Sequence, residues 1–184
     1  MITYLTGNSK KFEEAQHIFE GWDLDHHHLD LQEIQGSRQE ILTQKAYDAI
    51  KILNRPLIVE DVTMHCEAIG GLPGPYIKDF LKALGDDGLA ALIHKYDNHR
   101  AQVICTAAYV EVGKEPIIVE GILDGVIVSP RGDMRHGPIS WNPIFQPDGH
   151  AKTMGEMTME EHASLSMRRH ALEKLKEQLQ GHQP

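Results

Sequence analysis

A mixed α/β fold follows from three features of the sequence. Before residue 60, short apolar segments alternate with stretches whose apolar residues recur at helical spacing. Two long runs rich in Val, Ile and Tyr follow at 102–112 and 117–128, and a polar helical stretch, lysine-rich near its end, closes the chain. The early alternation argues for parallel strands with helical crossovers. The two adjacent long runs argue for a directly joined β pair, so the sheet is expected to be mixed and not a plain βαβ repeat.

Taken in order, Ile2–Leu5 reads as a first strand. Ser9–Glu20 reads as a helix, with Phe12, Ala15, Ile18 and Phe19 at helical spacing. His26–Leu31 is expected to be a second strand, and Gly36 breaks the chain after it. Ser37–Leu53 reads as a helix opened by a capping box of Ser37 and Glu40 and stopped before Asn54-Arg55-Pro56. Leu57–Glu60 is expected to be a short buried strand that delivers Glu60 and Asp61 at its C-terminal end. The turn formers of IGGLPGP at 69–75 come next. Tyr76–Leu84 and Asp87–Tyr96 are expected to be helices divided by Gly85, and the two long strands join around Gly113. The stretch 130–147 is read as loop, and Met159–Gln180 as one closing helix.

Composition narrows the function. Lys and Arg total 18 and Asp and Glu 27, a net charge of −9, which opposes general nucleic-acid binding. A small phosphorylated ligand remains compatible, because a few lysines suffice locally and a divalent cation offsets the rest. Cys66 and Cys105 form no CxxC, and we read them as reduced core thiols of a cytoplasmic protein. No apolar run approaches the length of a membrane span.

Four groups of residues have chemical potential. TGNSKK at 6–11 follows a strand and opens a helix, where unpaired amides favour anions. It reads either as a phosphate cradle or as an ordinary N-cap turn with solvated lysines. Glu60 and Asp61 are adjacent and so point to opposite faces of a strand, leaving one structural and the other available for metal or proton work. Glu33 and Lys45 are a third carboxylate and an inward-reaching lysine, or plain surface residues. His26-His27-His28 cannot converge on one ion from a strand, so a metal site there is not expected. The P-C-x-x-C that the zinc-deaminase pattern requires beside its H-x-E is absent.

Together these pieces resemble the inosine triphosphate pyrophosphatase, or Ham1, family. The resemblance covers nearly the whole chain. It rests on TGNSKKFEEA at 6–15, LDLQEIQG at 29–36, IVEDVTMHCEAIGGLPGPYIKDFL at 58–81 and WNPIFQPDGHAKTMGEM at 141–157. It implies one domain over 1–184 with a long, curved, mixed sheet flanked by helices and two lobes around a deep cleft. It also implies a homodimer, Mg2+, and hydrolysis of ITP, dITP and XTP to the monophosphate and pyrophosphate. Residue by residue, it implies Thr6, Asn8, Lys11 and Lys78 at the phosphates, and Glu33 and Asp61 at the metal. Asp61, Lys45 and Glu60 would be catalytic, and Trp141, Asn142, His162 and Arg168 would lie at the base.

The chain departs from the family pattern where the base should be read. Ile139-Ser140-Trp141-Asn142-Pro143 stands for FGWDP, Ser166-Met167-Arg168 for SHR, His162 for a lysine, and Val62 for a small hydroxyl residue. Asn both donates and accepts where Asp only accepts, and Met167 replaces a hydrogen-bonding histidine. The phosphate and metal chemistry is expected to survive, with weaker or redirected base selectivity. The alternatives are pyrophosphate release from a different or modified nucleoside triphosphate, and nucleotide binding without turnover.

Overall fold

Residues 1–32, 34–133 and 139–181 are described in the computed structural model of the chain. Three parallel strands are built first. β1 (Ile2–Leu5) pairs with β2 (Leu24–His27) on one side and with β3 (Leu57–Cys66) on the other. The connections are α1 (Ser9–Ile18) and α2 (Arg38–Leu53), as the helical spacing predicts. The capping box of α2 is present in full, with Ser37 and Glu40 exchanging side-chain and backbone hydrogen bonds. The helix ends at Asn54, which adopts a left-handed conformation.

β4 (Pro73–Gly74) lies antiparallel beside β3, and α3 (Ile77–Ile93) follows it. The expected break at Gly85 lies inside α3, where φ is 72°. The two long strands are β5 (Arg100–Val110) and β6 (Ile117–Ile127), and β7 (Phe145–Pro147) pairs antiparallel with β6. The seven strands form one mixed sheet in the order β2-β1-β3-β5-β6-β7, with β4 alongside β3. α4 (Met159–Ser164) and α5 (Met167–Gln180) end the chain.

Four expectations require correction. β2 is Leu24–His27 and not His26–Leu31, because β1 offers it only four partners, and Leu29 and Leu31 leave the ladder to pack in the core. β3 does not stop at Glu60. It continues through buried Thr63, Met64 and Cys66, so Glu60 and Asp61 stand mid-strand. The stretch 130–147 is not all loop, since a 3-10 turn at Asn142–Ile144 leads into β7. The closing helix is two helices. Ser164 Oγ donates to the Glu161 carbonyl at 2.7 Å, and such hydroxyls compete with the backbone for helix acceptors.

The chain packs as two compact units. The first comprises Met1–Asp61, Cys105–Gly121 and the segment from Met167 onward; the second comprises Val62–Ile104 and Ile122–Ser166. In the first unit, Leu42, Ala46 and Ala49 of α2 pack on Leu5, Leu57, Val59, Ala108 and Val110 of the sheet. α5 buries Met167, Ala171, Leu172, Leu175 and Leu179 and lies against α1, where Lys176 Nζ donates to the Ile18 carbonyl at 2.7 Å. In the second unit, the ring of Trp141 stands edge-on to Phe145, and the face of α3 with Ile77, Leu81, Leu89 and Ile93 is buried.

Gly121 of β6 shows how closely α5 sits. A Cβ there would overlap the Met167 carbonyl and lie 2.7 Å from the Ala171 nitrogen. Backbone cannot swing aside as a side chain does. Gly121→Ala is therefore expected to cost about 3 kcal/mol, or roughly 6–12 °C in Tm, by thermal denaturation. An unchanged Tm would show that α5 does not rest on this backbone.

Candidate active site

The loop between β1 and α1 is organised by its own side chains. Thr6 N–H donates to the His27 carbonyl at 2.9 Å, continuing the β1–β2 ladder. Asn8 N–H donates to Thr6 Oγ1 at 3.1 Å, and Asn8 Oδ1 accepts from Lys10 N–H at 3.0 Å, making Asn8 the N-cap of α1. A helix N-terminus favours negative charge, yet the first turn of α1 holds no acidic residue and carries Lys10 and Lys11 instead. Two cations at the positive end of a helix dipole are unfavourable unless anions are supplied. One anion is built in: Lys11 Nζ lies 2.6 Å from Glu60 Oε1.

Glu60 is the centre of a buried charge cluster within the first unit. Its side chain is 2% exposed. Arg168 Nε donates to Glu60 Oε2 at 2.7 Å, Arg168 Nη1 pairs with Glu14 at 3.0 Å, and the Cys105 thiol donates to Glu60 Oε2 at 3.3 Å. Burial alone would raise the Glu60 pKa, but the Arg168 and Lys11 cations overcome it and hold the carboxyl well below the usual range. Burial likewise opposes the Arg168 charge, and Glu60 outweighs it, holding the guanidinium above its ordinary value. The Tyr4 phenol, buried beside the same carboxylate, is pushed up by burial and then by Glu60, so it stays neutral.

Two of the expected site residues are drawn into this cluster. Glu60, expected among the catalytic residues, has its oxygens on the Lys11 and Arg168 cations, which favour its ionised form. Arg168, expected at the base, has its guanidinium held between Glu60 and Glu14. Sequence reading missed Glu14, Tyr4 and Cys105 as partners. No local spacing announces them, since Glu14 meets Arg168 and Cys105 meets Glu60 only across long stretches of chain.

The remaining candidates are placed as follows. Asp61, next on β3, is half-buried and takes the opposite face from Glu60. Lys45 is half-buried in the middle of α2. Lys78 is exposed in the first turn of α3, in the second unit. Glu33 lies outside the described residues. Also in the second unit, Asn142 and His162 are brought together with Nδ2 3.4 Å from Nε2. Asn142 is 1% exposed; its N–H donates to Ser140 Oγ and its carbonyl accepts from Gly155 N–H. Trp141 beside it is half-buried, and Ile139 is exposed.

Among the described residues, no three His, Cys, Asp or Glu side chains gather as a metal cage. Glu60 is paired with cations, and Asp61 is the second carboxylate of β3. That donor set fits a divalent cation held by one or two carboxylates together with phosphate oxygens, and does not suit a closed all-protein site.

Known proteins share this architecture and much of this sequence. The Ham1 family pattern matches residues 2–178. The chain is 42% identical over 182 residues to the inosine triphosphate pyrophosphatase of Schizosaccharomyces pombe, covering 98% of this chain and 95% of that protein. It is also 42% identical to the inosine triphosphate pyrophosphatase of Batrachochytrium dendrobatidis, over 98% of this chain and 94% of that one. A HAM1 protein structure from Coxiella burnetii superposes with a TM-score of 0.87 over 98% of both chains at 23% identity, a likeness of fold.

The Glu60 cluster sets a pH dependence. Its folded pKa lies below the unfolded value of about 4.5, so its stabilisation is complete above that pH and is lost as pH falls toward the folded value. Glu60→Gln is expected to lose about 3–5 kcal/mol at neutral pH, because Lys11 and Arg168 are left without their shared anion. By urea denaturation, the gap between wild type and variant should stay constant above about pH 5 and narrow on further acidification. A gap independent of pH would remove Glu60 from the role of ionised anchor.

Proposed function

Because the chain belongs to the Ham1 family, we propose that it hydrolyses deaminated purine nucleoside triphosphates (ITP, dITP and XTP) to the monophosphate and pyrophosphate. The observation that carries this reading is the helix start: the N-terminal turn of α1 holds Lys10 and Lys11 and no acidic residue, and Lys11 is fixed in place by the buried Glu60 carboxylate. Such a start is completed by a polyphosphate. No helix among the described residues is long and apolar enough to cross a membrane. Buried, unpaired Cys66 and Cys105 suit a cytoplasmic setting, and the family resemblance suits a homodimer.

Each residue has a task in this reading. Thr6, Asn8 and Lys11 receive the phosphates, with Lys78 as a further cation, and Lys45 offsets their charge. Asp61 and Glu33 hold the divalent cation, taken as Mg2+, which when bound supplies charge neutralisation on the phosphate oxygens. Asp61, half-buried and on the face of β3 opposite the anchored Glu60, accepts the proton of the attacking water. The water oxygen bonds to the α-phosphorus, the bond from that phosphorus to the bridging oxygen breaks, and pyrophosphate departs. Positioning and fixed charge supply most of the acceleration, as in other phosphoryl transfers. Trp141, Asn142 and His162 are assigned to the base. Arg168 is assigned to holding Glu60.

Pyrophosphate release measured with Mg2+ across ITP, dITP, XTP and the eight ordinary nucleotides tests the reading. The three deaminated purines should be turned over fastest. Equal rates with ATP and GTP would overturn the substrate assignment. Asp61→Asn is expected to lower kcat by roughly 10²–10⁴-fold while nucleotide affinity is largely kept. Wild-type turnover in that variant would remove Asp61 from the role of base. Chelation of the divalent cation should abolish release in the wild type.

A further inference from the structure

The triplet His26-His27-His28 has no part in the chemistry assigned so far, yet all three residues meet the loop that opens α1. His26 lies in β2 and His28 just past its end; both are exposed, while His27 between them is half-buried. His26 Nε2 lies 2.6 Å from the Thr6 carbonyl oxygen. A carbonyl oxygen only accepts, so Nε2 carries the proton and donates. The ring is held from its other side by Phe12 of α1, stacked at 4.7 Å and 18°, and Phe12 in turn tilts against Tyr4 at 6.3 Å. The backbone of His26 is tied as well, its N–H donating to Asp25 Oδ1 at 2.8 Å, while Asp25 Oδ2 pairs with Arg55.

His27 and His28 complete the contact. The His27 carbonyl accepts the Thr6 N–H. The His28 ring lies against Gly7: a Cβ at Gly7 would stand 2.8 Å from its Nδ1 and 3.0 Å from its Cε1. Thr6 is therefore fixed at three points, through its N–H by the β2 backbone, through its carbonyl by the His26 side chain, and through its hydroxyl by Asn8 N–H. The next residue, Gly7, is backed by an imidazole. The direction in which the loop's amides point is thereby set by strand β2 as well as by the N-cap of α1.

We infer that His26 is a positioning residue for the phosphate-binding loop, with its Nε2–H bond to the Thr6 carbonyl holding Thr6-Gly7-Asn8 ready for a polyphosphate and His28 closing the loop's back at Gly7. The inference rests on the reading of that loop as the site of the triphosphate. His26 touches no phosphate itself and acts through Thr6. The bond exists in neutral imidazole and in imidazolium alike, since both keep a proton on Nε2.

The test compares wild type, His26→Ala and His26→Gln in two measurements: steady-state pyrophosphate release from ITP, and calorimetric titration with inorganic tripolyphosphate and Mg2+. His26→Ala is expected to raise KM for ITP and weaken tripolyphosphate binding by roughly three- to tenfold, the worth of one hydrogen bond. Its kcat should stay within about twofold of wild type, because the bond is made equally before and during the reaction. Glutamine retains an N–H donor and should recover most of both losses. A general loss of structure would lower kcat and Tm without recovery by glutamine. Unchanged KM and tripolyphosphate affinity in His26→Ala, or no recovery in His26→Gln, overturns the inference. So does a wild type that fails to bind tripolyphosphate. His26-dependent tripolyphosphate binding without pyrophosphate release from any nucleotide would uphold the positioning role while overturning the proposed hydrolysis.

Discussion

Glu60 is almost wholly withdrawn from water, where an unpaired carboxylate costs several kcal/mol, and the first unit is arranged around meeting that cost. Lys11 comes from α1, Arg168 from α5 and Cys105 from β5, and Glu14 of α1 supplies a second acceptor for Arg168. One carboxylate thus links two helices and two strands that are far apart in sequence. Such a cluster is a poor source of net stability, because desolvation offsets most of the Coulomb gain. What the contacts do is tie α1 and α5 to the sheet through one shared carboxylate. The lysine at the start of α1 is held by that same carboxylate.

How much of this was legible depended on whether the determining contact was local. The capping box of Ser37 and Glu40 spans one helical turn, and the structure has it as the sequence predicts. The break at Gly85 is equally local. β3 runs past the point the sequence suggests, because two adjacent carboxylates look like the end of a buried strand. They are mid-strand because Arg168, 108 residues away, neutralises the buried one. No short-range pattern contains that information. The division of the closing helix turned on Ser164 capturing the Glu161 carbonyl, a choice that composition alone does not announce. For the candidate site, alternation along a strand already separated the fates of Glu60 and Asp61. It could not say which of the two faced inward.

The second unit shows how substitutions that look independent in a sequence are chemically one. Asn142 and His162, two of the positions at which the resemblance implies a departure, touch. A polar contact between an amide and an imidazole suits a pair buried to 1% and 9% exposure, where a polar group needs a partner. A lone aspartate at position 142 would leave a buried negative charge beside His162 and favour the imidazolium. The two residues therefore belong together, and the electrostatic character of this corner is set by the pair.

The two cysteines have a consequence for how the protein's motions can be followed. Cys66 lies in the second unit and Cys105 in the first, both buried and unpaired. Burial pushes the Cys66 thiol up to about 12. Burial, then the neighbouring Glu60 carboxylate, pushes Cys105 well above its ordinary value. The thiolate is the reactive species, so both sulfurs are chemically silent in the closed chain. Alkylation of either one must wait for its own surroundings to open. The molecule thus carries one built-in clock for each unit, and the two labelling rates report separately on local unfolding in regions that interleave along a single chain.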